Sequence, residues 1–229
     1  MQNFINEHRY VQQDLESVRA GRTSPLAGTV RIFRGADEAV AAVQAPIACK
    51  AGCSYCCHYH IYVSALEVLV LAEFVATQLS EAARNKVKQR LEANVKAVAN
   101  LSVSEHIITN VPCAFLADEG LCTAYRVRPL ICRRHHAFDA TPCKVTFDDP
   151  LSPLQNQLFA GYLVAVDEFK AATELALRQW GMDYWHYEMN SALLEAITNK
   201  ASVRRWRDGK ITFPSVKDRD TDGALGKSL

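Results

Sequence analysis

Cys49-Lys50-Ala51-Gly52-Cys53-Ser54-Tyr55-Cys56-Cys57-His58 is the stretch on which the reading of this chain turns. Cys53 and Cys56 form a Cys-x2-Cys pair, whose short loop brings two sulfurs onto one ion or cluster, and Gly52 lets the backbone turn tightly. Cys49 stands four residues before Cys53, so one helical turn would place it alongside. Cys56 and Cys57 are adjacent, and adjacent side chains diverge in helices and strands alike, which makes joint ligation of one small ion awkward. Either the centre is polynuclear or the two thiols serve different sites.

The other four of the chain's eight cysteines, Cys113, Cys122, Cys132 and Cys143, lie in a segment from Val111 to Pro153 that is unlike its flanks. Prolines at 112, 129, 142 and 150 and the Asp118-Glu119-Gly120 turn signal predict loops, turns and short irregular pieces, which regular backbone pairing alone cannot hold in shape. Thiolates are the binding form, and four of them around one divalent ion leave a formal charge of roughly −2. Arg126, Arg128, Arg133, Arg134, His135 and His136 cluster around Cys132, and the expectation is that they neutralise the sulfur-rich centre.

Outside these segments the pattern is helical. Apolar positions from Phe4 to Val18 fit one helical face, with Gly21 as the stop. A second short helix is expected over Gly35 to Gln44, ending before Pro46. Ser64 to Leu79 carries Ser64 with Glu67 three residues on, the capping box in which each side chain satisfies the other's free amide. Ser80 starts a further helix toward Asn100, and Gln155 to Trp180 and Trp185 to Thr198 predict two more. The fold expected is mainly α: one helical domain over 1–213 enclosing an irregular cysteine-rich metal-binding region at about 46–153. A polar, charged tail over 214–229 is expected to be disordered.

Composition narrows the function. The chain has 229 residues, 49% of them hydrophobic, so it can bury a core without disulfides. Its net charge of +1 removes the electrostatic argument for a nucleic-acid partner. Met1 to Tyr10 carries Asn6, Glu7, His8 and Arg9 where a secretory signal would place an apolar run. The greasy stretch Val63 to Val75 is interrupted by Glu67 and Glu73 and is shorter than the roughly 20 apolar residues of a membrane span. The expected setting is therefore the cytoplasm, where clustered cysteines bind metal or do redox chemistry more often than they form disulfides.

Four pieces of the sequence together resemble the CxxCxxCC, YkgJ-like family, described as a zinc- or iron-chelating domain. They are Cys49-x3-Cys53-x2-Cys56-Cys57, Pro112-Cys113-Ala114-Phe115-Leu116, Gly120-Leu121-Cys122-Thr123-Ala124-Tyr125 and Arg128-Pro129-Leu130-Ile131-Cys132-Arg133. Ala114 stands where many relatives have a second proline. The resemblance covers roughly Cys49 to Cys143 and implies chelation of zinc or iron. Relatives of the domain occur in flagellin lysine-methylating enzymes, where an iron-sulfur cluster accompanies the cysteines. No glycine-rich nucleotide loop is present to extend that activity to this chain.

The ligand set expected is thus Cys49, Cys53, Cys56 and Cys57 as one group and Cys113, Cys122, Cys132 and Cys143 as the other, with Cys143 also readable as an ordinary half-buried thiol. His58, His60, His135 and His136 are nitrogen donors in reserve. Tyr125, Arg128 and Arg133 are expected to pack and hydrogen-bond the loop around the metal. Three functions follow: a zinc protein with a structural or metal-handling centre, an iron-sulfur protein that transfers electrons or supports a protein-modifying enzyme, and a thiol-disulfide redox protein using Cys53 and Cys56. The last leaves six cysteines without a role.

Overall fold

A computed structural model describes residues 2–154, 156–217 and 219–220. Among the described residues ten α-helices follow one another: α1 (Gln2–Arg19), α2 (Pro25–Ala42), α3 (Ala65–Gln78), α4 (Glu81–Val98), α5 (Val103–Ile107), α6 (Leu130–Arg134), α7 (Ala140–Asp148), α8 (Ala160–Gln179), α9 (Met189–Thr198) and α10 (Ser202–Arg207). The chain is mainly helical, as its periodicity predicts. Three short strands, β1 (Tyr62–Ser64), β2 (His186–Glu188) and β3 (Arg219–Asp220), form one antiparallel sheet in that order, with Val63 opposite Tyr187.

The capping box is present as read. Glu67 at the start of α3 accepts from the Ser64 amide at 2.9 Å and from its hydroxyl at 2.7 Å, and the Glu67 amide donates back to the Ser64 oxygen. Ser80 caps α4 in turn. Helix α2, by contrast, begins ten residues before the expected Gly35. Ser24 caps it by accepting from the Ala27 amide, and Pro25 occupies its first turn, where a missing N–H costs nothing. Gly28 and Gly35 obscure the pattern because they mark close approaches between helices. A Cβ at Gly28 would lie 2.1 Å from the Val18 side chain, and one at Gly35 would lie 2.8 Å from the Phe169 ring.

Helix α8 starts at Ala160, because residues just before it are used to pair with an irregular strand: Phe138 donates to the Gln157 carbonyl and Phe159 to that of His136. The segment expected as a helix from Trp185 opens as β2, and Glu188 then caps α9 by accepting from the amides of Asn190 and Ser191. The tail expected to be disordered from Pro214 is anchored over its first residues. Ser215 hydrogen-bonds Glu195, Val216 is buried, and β3 pairs with β2. The rest of that tail lies outside the described residues.

Helices α1, α2 and α8 pack on one another, as do α3, α4 and α9, and α2 against α3 joins the two sets. One apolar cluster runs through them, from Leu15 and Ile32 through Leu66, Leu69 and Leu91 to Leu177, Leu193, Trp206 and Phe213. Burial of such side chains contributes on the order of 2 kcal/mol each. Phe115, Ala124, Val127 and Leu130 belong to the same cluster, so the cysteine-rich segment is bonded to the helical frame by its own apolar residues. Among the described residues, no helix is long and apolar enough to cross a membrane.

Candidate metal centre

Residues 49–58 fold as two tight turns. The Cys53 amide donates to the Lys50 carbonyl at 3.0 Å, Gly52 adopts a φ of +86°, and Tyr55–His58 form a 3-10 turn in which Cys57 donates to Ser54. Residues 113–123 form a tight hairpin at the predicted Asp118-Glu119-Gly120 turn. Gly120 donates to Ala117, Ala117 to Leu121 and Thr123 to Phe115, with Leu116 and Cys122 bridged. The two units dock backbone to backbone. Cys113 donates to the Cys57 carbonyl at 2.8 Å and Val111 to that of His58 at 3.2 Å. Gly120, with φ +76°, lies so close to the Gly52 peptide that a Cβ there would come within 2.7 Å of the Gly52 oxygen.

The helical frame fixes this pair of turns. From α4, Arg90 donates to the Leu116 carbonyl and to Asp118, and Asn94 donates to the Pro112 carbonyl at 2.8 Å while also bonding Asn190 of α9. Glu67 has a second duty: its other oxygen accepts from the Leu130 amide at 2.7 Å, at the first residue of α6, which carries Cys132. Cys143 sits on α7, which packs on the 3-10 turn through Phe147, stacked edge-on against His58 with ring centroids 4.8 Å apart. Just before α7, the Ala48 amide donates to the Ala137 carbonyl and the Ala137 amide donates to the Cys49 sulfur at 3.4 Å. All eight sequence-predicted thiols therefore come to one region, and all are free.

Cys56, Cys57, Cys113, Cys122, Cys132 and Cys143 are perturbed by identifiable neighbours. Cys56 and Cys57 share a sulfur-to-sulfur hydrogen bond, which lowers Cys57 to about 7 and, together with burial and the neighbouring Cys57, Cys132 and Cys49, raises Cys56 far above the ordinary thiol range. The two adjacent side chains, expected to diverge, hydrogen-bond each other in the Tyr55–His58 turn. Burial pushes Cys113 up to about 12, with Cys122 and Cys57 adding to the shift and the Phe115 amide opposing it. Cys132 is raised by burial and then by Cys113, Cys122 and Cys57, and Cys122 by burial and by Cys57. Burial, then Cys49 and Cys53, push Cys143 up to about 11.

The surrounding cations are shared: the charge of Arg128 favours the Cys122 thiolate, and three of the arginines also pair with carboxylates. Arg133, fully buried, gives its guanidinium to Asp37 of α2 and to the carbonyls of Arg126 and Arg128, and lies over the Phe33 ring. Arg128 pairs with the same Asp37 at 3.1 Å and covers the Tyr125 ring, and Arg134 pairs with Asp167 at 3.3 Å. These arginines tie the cysteine segment to α2 and α8. A buried guanidinium is held by the nearest carboxylate in preference to a polarisable sulfur, and Asp37 and Asp167 supply those carboxylates. Packing roles for Arg128, Arg133 and Tyr125 agree with the arrangement.

Among the histidines, His58 bonds the Ser54 carbonyl through Nδ1, and His60 stacks on His106 with centroids 4.0 Å apart. His135 Nε2 and both ring nitrogens of His136 are buried without a hydrogen-bond partner among the described residues. Burial lowers His135 to about 4, so its imidazole is neutral at physiological pH, the form that can coordinate a metal. Among the described residues, no three His, Cys, Asp or Glu side chains converge closely enough to hold an ion as they stand. The donor chemistry nevertheless suits zinc or iron: soft sulfur ligands in excess of four, with buried imidazole beside them. Sequence reasoning missed the contributions of Asp37, Asn94 and the second oxygen of Glu67, none of which carries a local signal.

Residues 48–151 match the model of the CxxCxxCC family, described as a "putative zinc- or iron-chelating domain". No curated protein and no solved structure matches the chain.

Proposed function

Because residues 48–151 of this chain belong to the CxxCxxCC family, we propose that the protein is a metal-binding protein in which cysteine thiolates hold zinc or iron. The observation that carries this reading is the gathering of eight free thiols from segments some sixty residues apart, joined by the Cys113-to-Cys57 backbone bond. The ligands on this reading are Cys49, Cys53, Cys56, Cys57, Cys113, Cys122, Cys132 and Cys143. Bound metal would supply a positive charge that replaces the thiol protons and cross-links the 49–58 turns, the 113–123 hairpin, α6 and α7. The chain's own part is to hold these four pieces in place through Glu67, Asn94, Arg90 and Asp37. Since the ligands are assembled only in the folded chain, metal binding and folding of the segment are coupled.

An iron-sulfur centre is the second reading, supported by the number of thiols and by the two sulfurs of Cys56 and Cys57 lying within hydrogen-bonding distance of each other. Anaerobic purification followed by a visible spectrum and metal analysis separates the two. Zinc gives no visible absorption and iron-sulfur clusters do, so a brown protein with stoichiometric iron and sulfide retires zinc. A metal-free protein that gains two thiols on reduction would instead support thiol-disulfide exchange.

A further inference from the structure

One threonine departs from the habit of the others. Within helices, Thr29, Thr77, Thr146 and Thr198 each donate their hydroxyl to the carbonyl four residues earlier, at 2.9, 2.8, 2.9 and 2.7 Å. That local bond is how a helical threonine is ordinarily satisfied. Thr173, in the interior of α8, makes no such bond: it is 8% exposed, and its hydroxyl is buried without a hydrogen-bond partner among the described residues. Thr173 lines a cavity of about 20 Å3 between α2, α3, α6, α8 and β2, whose apolar walls are Ile32, Phe33, Leu66, Leu130 and Leu177. On its more exposed side Glu174 lies 3.2 Å from His186 and 3.9 Å from Lys170.

The other two hydroxyls that line this cavity are committed, Thr29 to the Pro25 carbonyl and Ser64 to Glu67. Glu67 has acceptor capacity left. A carboxylate offers about four acceptor positions on its two oxygens; here Oε2 takes the Ser64 amide and hydroxyl, while Oε1 takes the Leu130 amide. A donor and an acceptor thus border one small space. About 10–15 Å3 holds one water, which needs two or more polar partners to stay there. We propose that this cavity is the binding site of a single ordered water, which accepts from the Thr173 hydroxyl and donates to Oε1 of Glu67, with the Glu174–His186–Lys170 group on its open side. Anything much larger than water does not fit, and an apolar occupant would leave Thr173 unpaired. The water would tie α8 to the carboxylate that already joins α3 to α6, so the helix carrying Cys132 is held from a third side.

The test turns on a sign. Thr173→Val keeps the branched shape and a similar helix propensity but removes the hydroxyl. If that hydroxyl is bonded to water, the variant loses a hydrogen bond, and urea denaturation of the full chain should show an unfolding constant about fivefold larger. If the hydroxyl is unpaired, the same change removes a buried polar group that nothing satisfies, and the variant is as stable as the unaltered chain or more so; that result overturns the proposal. In a Glu67→Ala background the effect of Thr173→Val should shrink, because one of the water's partners is gone, whereas an undiminished effect overturns the bridge to Glu67. A measurement without variants decides independently: a high-resolution crystal structure of the unaltered chain should show one water within hydrogen-bonding distance of both Thr173 Oγ1 and Glu67 Oε1. A dry cavity there, or a Thr173 hydroxyl turned back to the Phe169 carbonyl, overturns the proposal.

Discussion

Replacing Glu67 by alanine should destabilise the metal-free protein more than any other single change on the surface of α3. Glu67 is only 9% exposed, and its carboxylate serves three donors at once: the Ser64 amide, the Ser64 hydroxyl and the Leu130 amide, at 2.9, 2.7 and 2.7 Å. The hydroxyl can find another partner, but the two amides would be left buried and unpaired, at about 1–3 kcal/mol each. Relief of the buried carboxylate's desolvation offsets part of this, so a net loss of about 3 kcal/mol is expected. In a chain of this size that corresponds to a midpoint lowered by about 6–12 °C. Glu67→Gln keeps an acceptor oxygen and should lose about half as much; Ser64→Ala, which removes only the cap, should cost about 1 kcal/mol. Urea denaturation followed by far-ultraviolet circular dichroism measures all three. A loss below about 1 kcal/mol for Glu67→Ala, or equal losses for Glu67→Ala and Ser64→Ala, would refute the idea that this side chain joins α3 to α6.

Gly120→Ala should weaken metal retention as well as stability, because the new Cβ meets the Gly52 peptide and the positive φ disfavours any side chain; unchanged chelator resistance would show that the two turns can separate without loss. Metal uptake should strengthen steeply with pH, since the raised thiols of Cys113, Cys132 and Cys143 must each lose a proton to bind, and each adds about tenfold affinity per pH unit below its pKa. Competitive titrations at pH 6 and 8 check this, and a flat profile would contradict it. Without metal the sign reverses. Folded pKa values of about 12 and 11 lie above the ordinary 9, so the stability these thiols contribute is complete below pH 9 and is lost as pH rises through 11–12. Denaturation of the metal-free chain at pH 8 and 10.5 should show the decline.

What the sequence made legible was local. The Ser64-x-x-Glu67 box, the Asp118-Glu119-Gly120 turn and the Cys-x2-Cys pair each declare themselves within a few residues, and the structure contains each of them. Helix α2 was half concealed, because Gly28 and Gly35 look like breakers until the neighbouring helices that require them are in place. Strands of three residues are too short to show a period, and β1 finds β2 about 120 residues further on, a pairing no local pattern announces. The arginines illustrate the same limit: their charge beside Cys132 is visible in sequence, but Asp37 and Asp167, which take up that charge, are not neighbours in the chain.

The β1–β2 pairing has a consequence for how the chain matures. Val63 cannot meet Tyr187 until the chain has been made at least to that point, whereas the last cysteine, Cys143, is synthesised about 45 residues earlier. At about 5–20 residues per second, all eight thiols exist for roughly 2–9 s before the strand that closes the frame is available. In that interval the thiols are flexible and open to whatever metal or oxidant is at hand. The 113–123 hairpin and the turns at 49–58 form from local contacts, so they can begin to collect their cysteines first. The order of synthesis therefore exposes the cysteines before the scaffold that gathers them is complete, and on the thiolate-metal reading the metal acquired would depend on supply during those seconds as well as on the final fold.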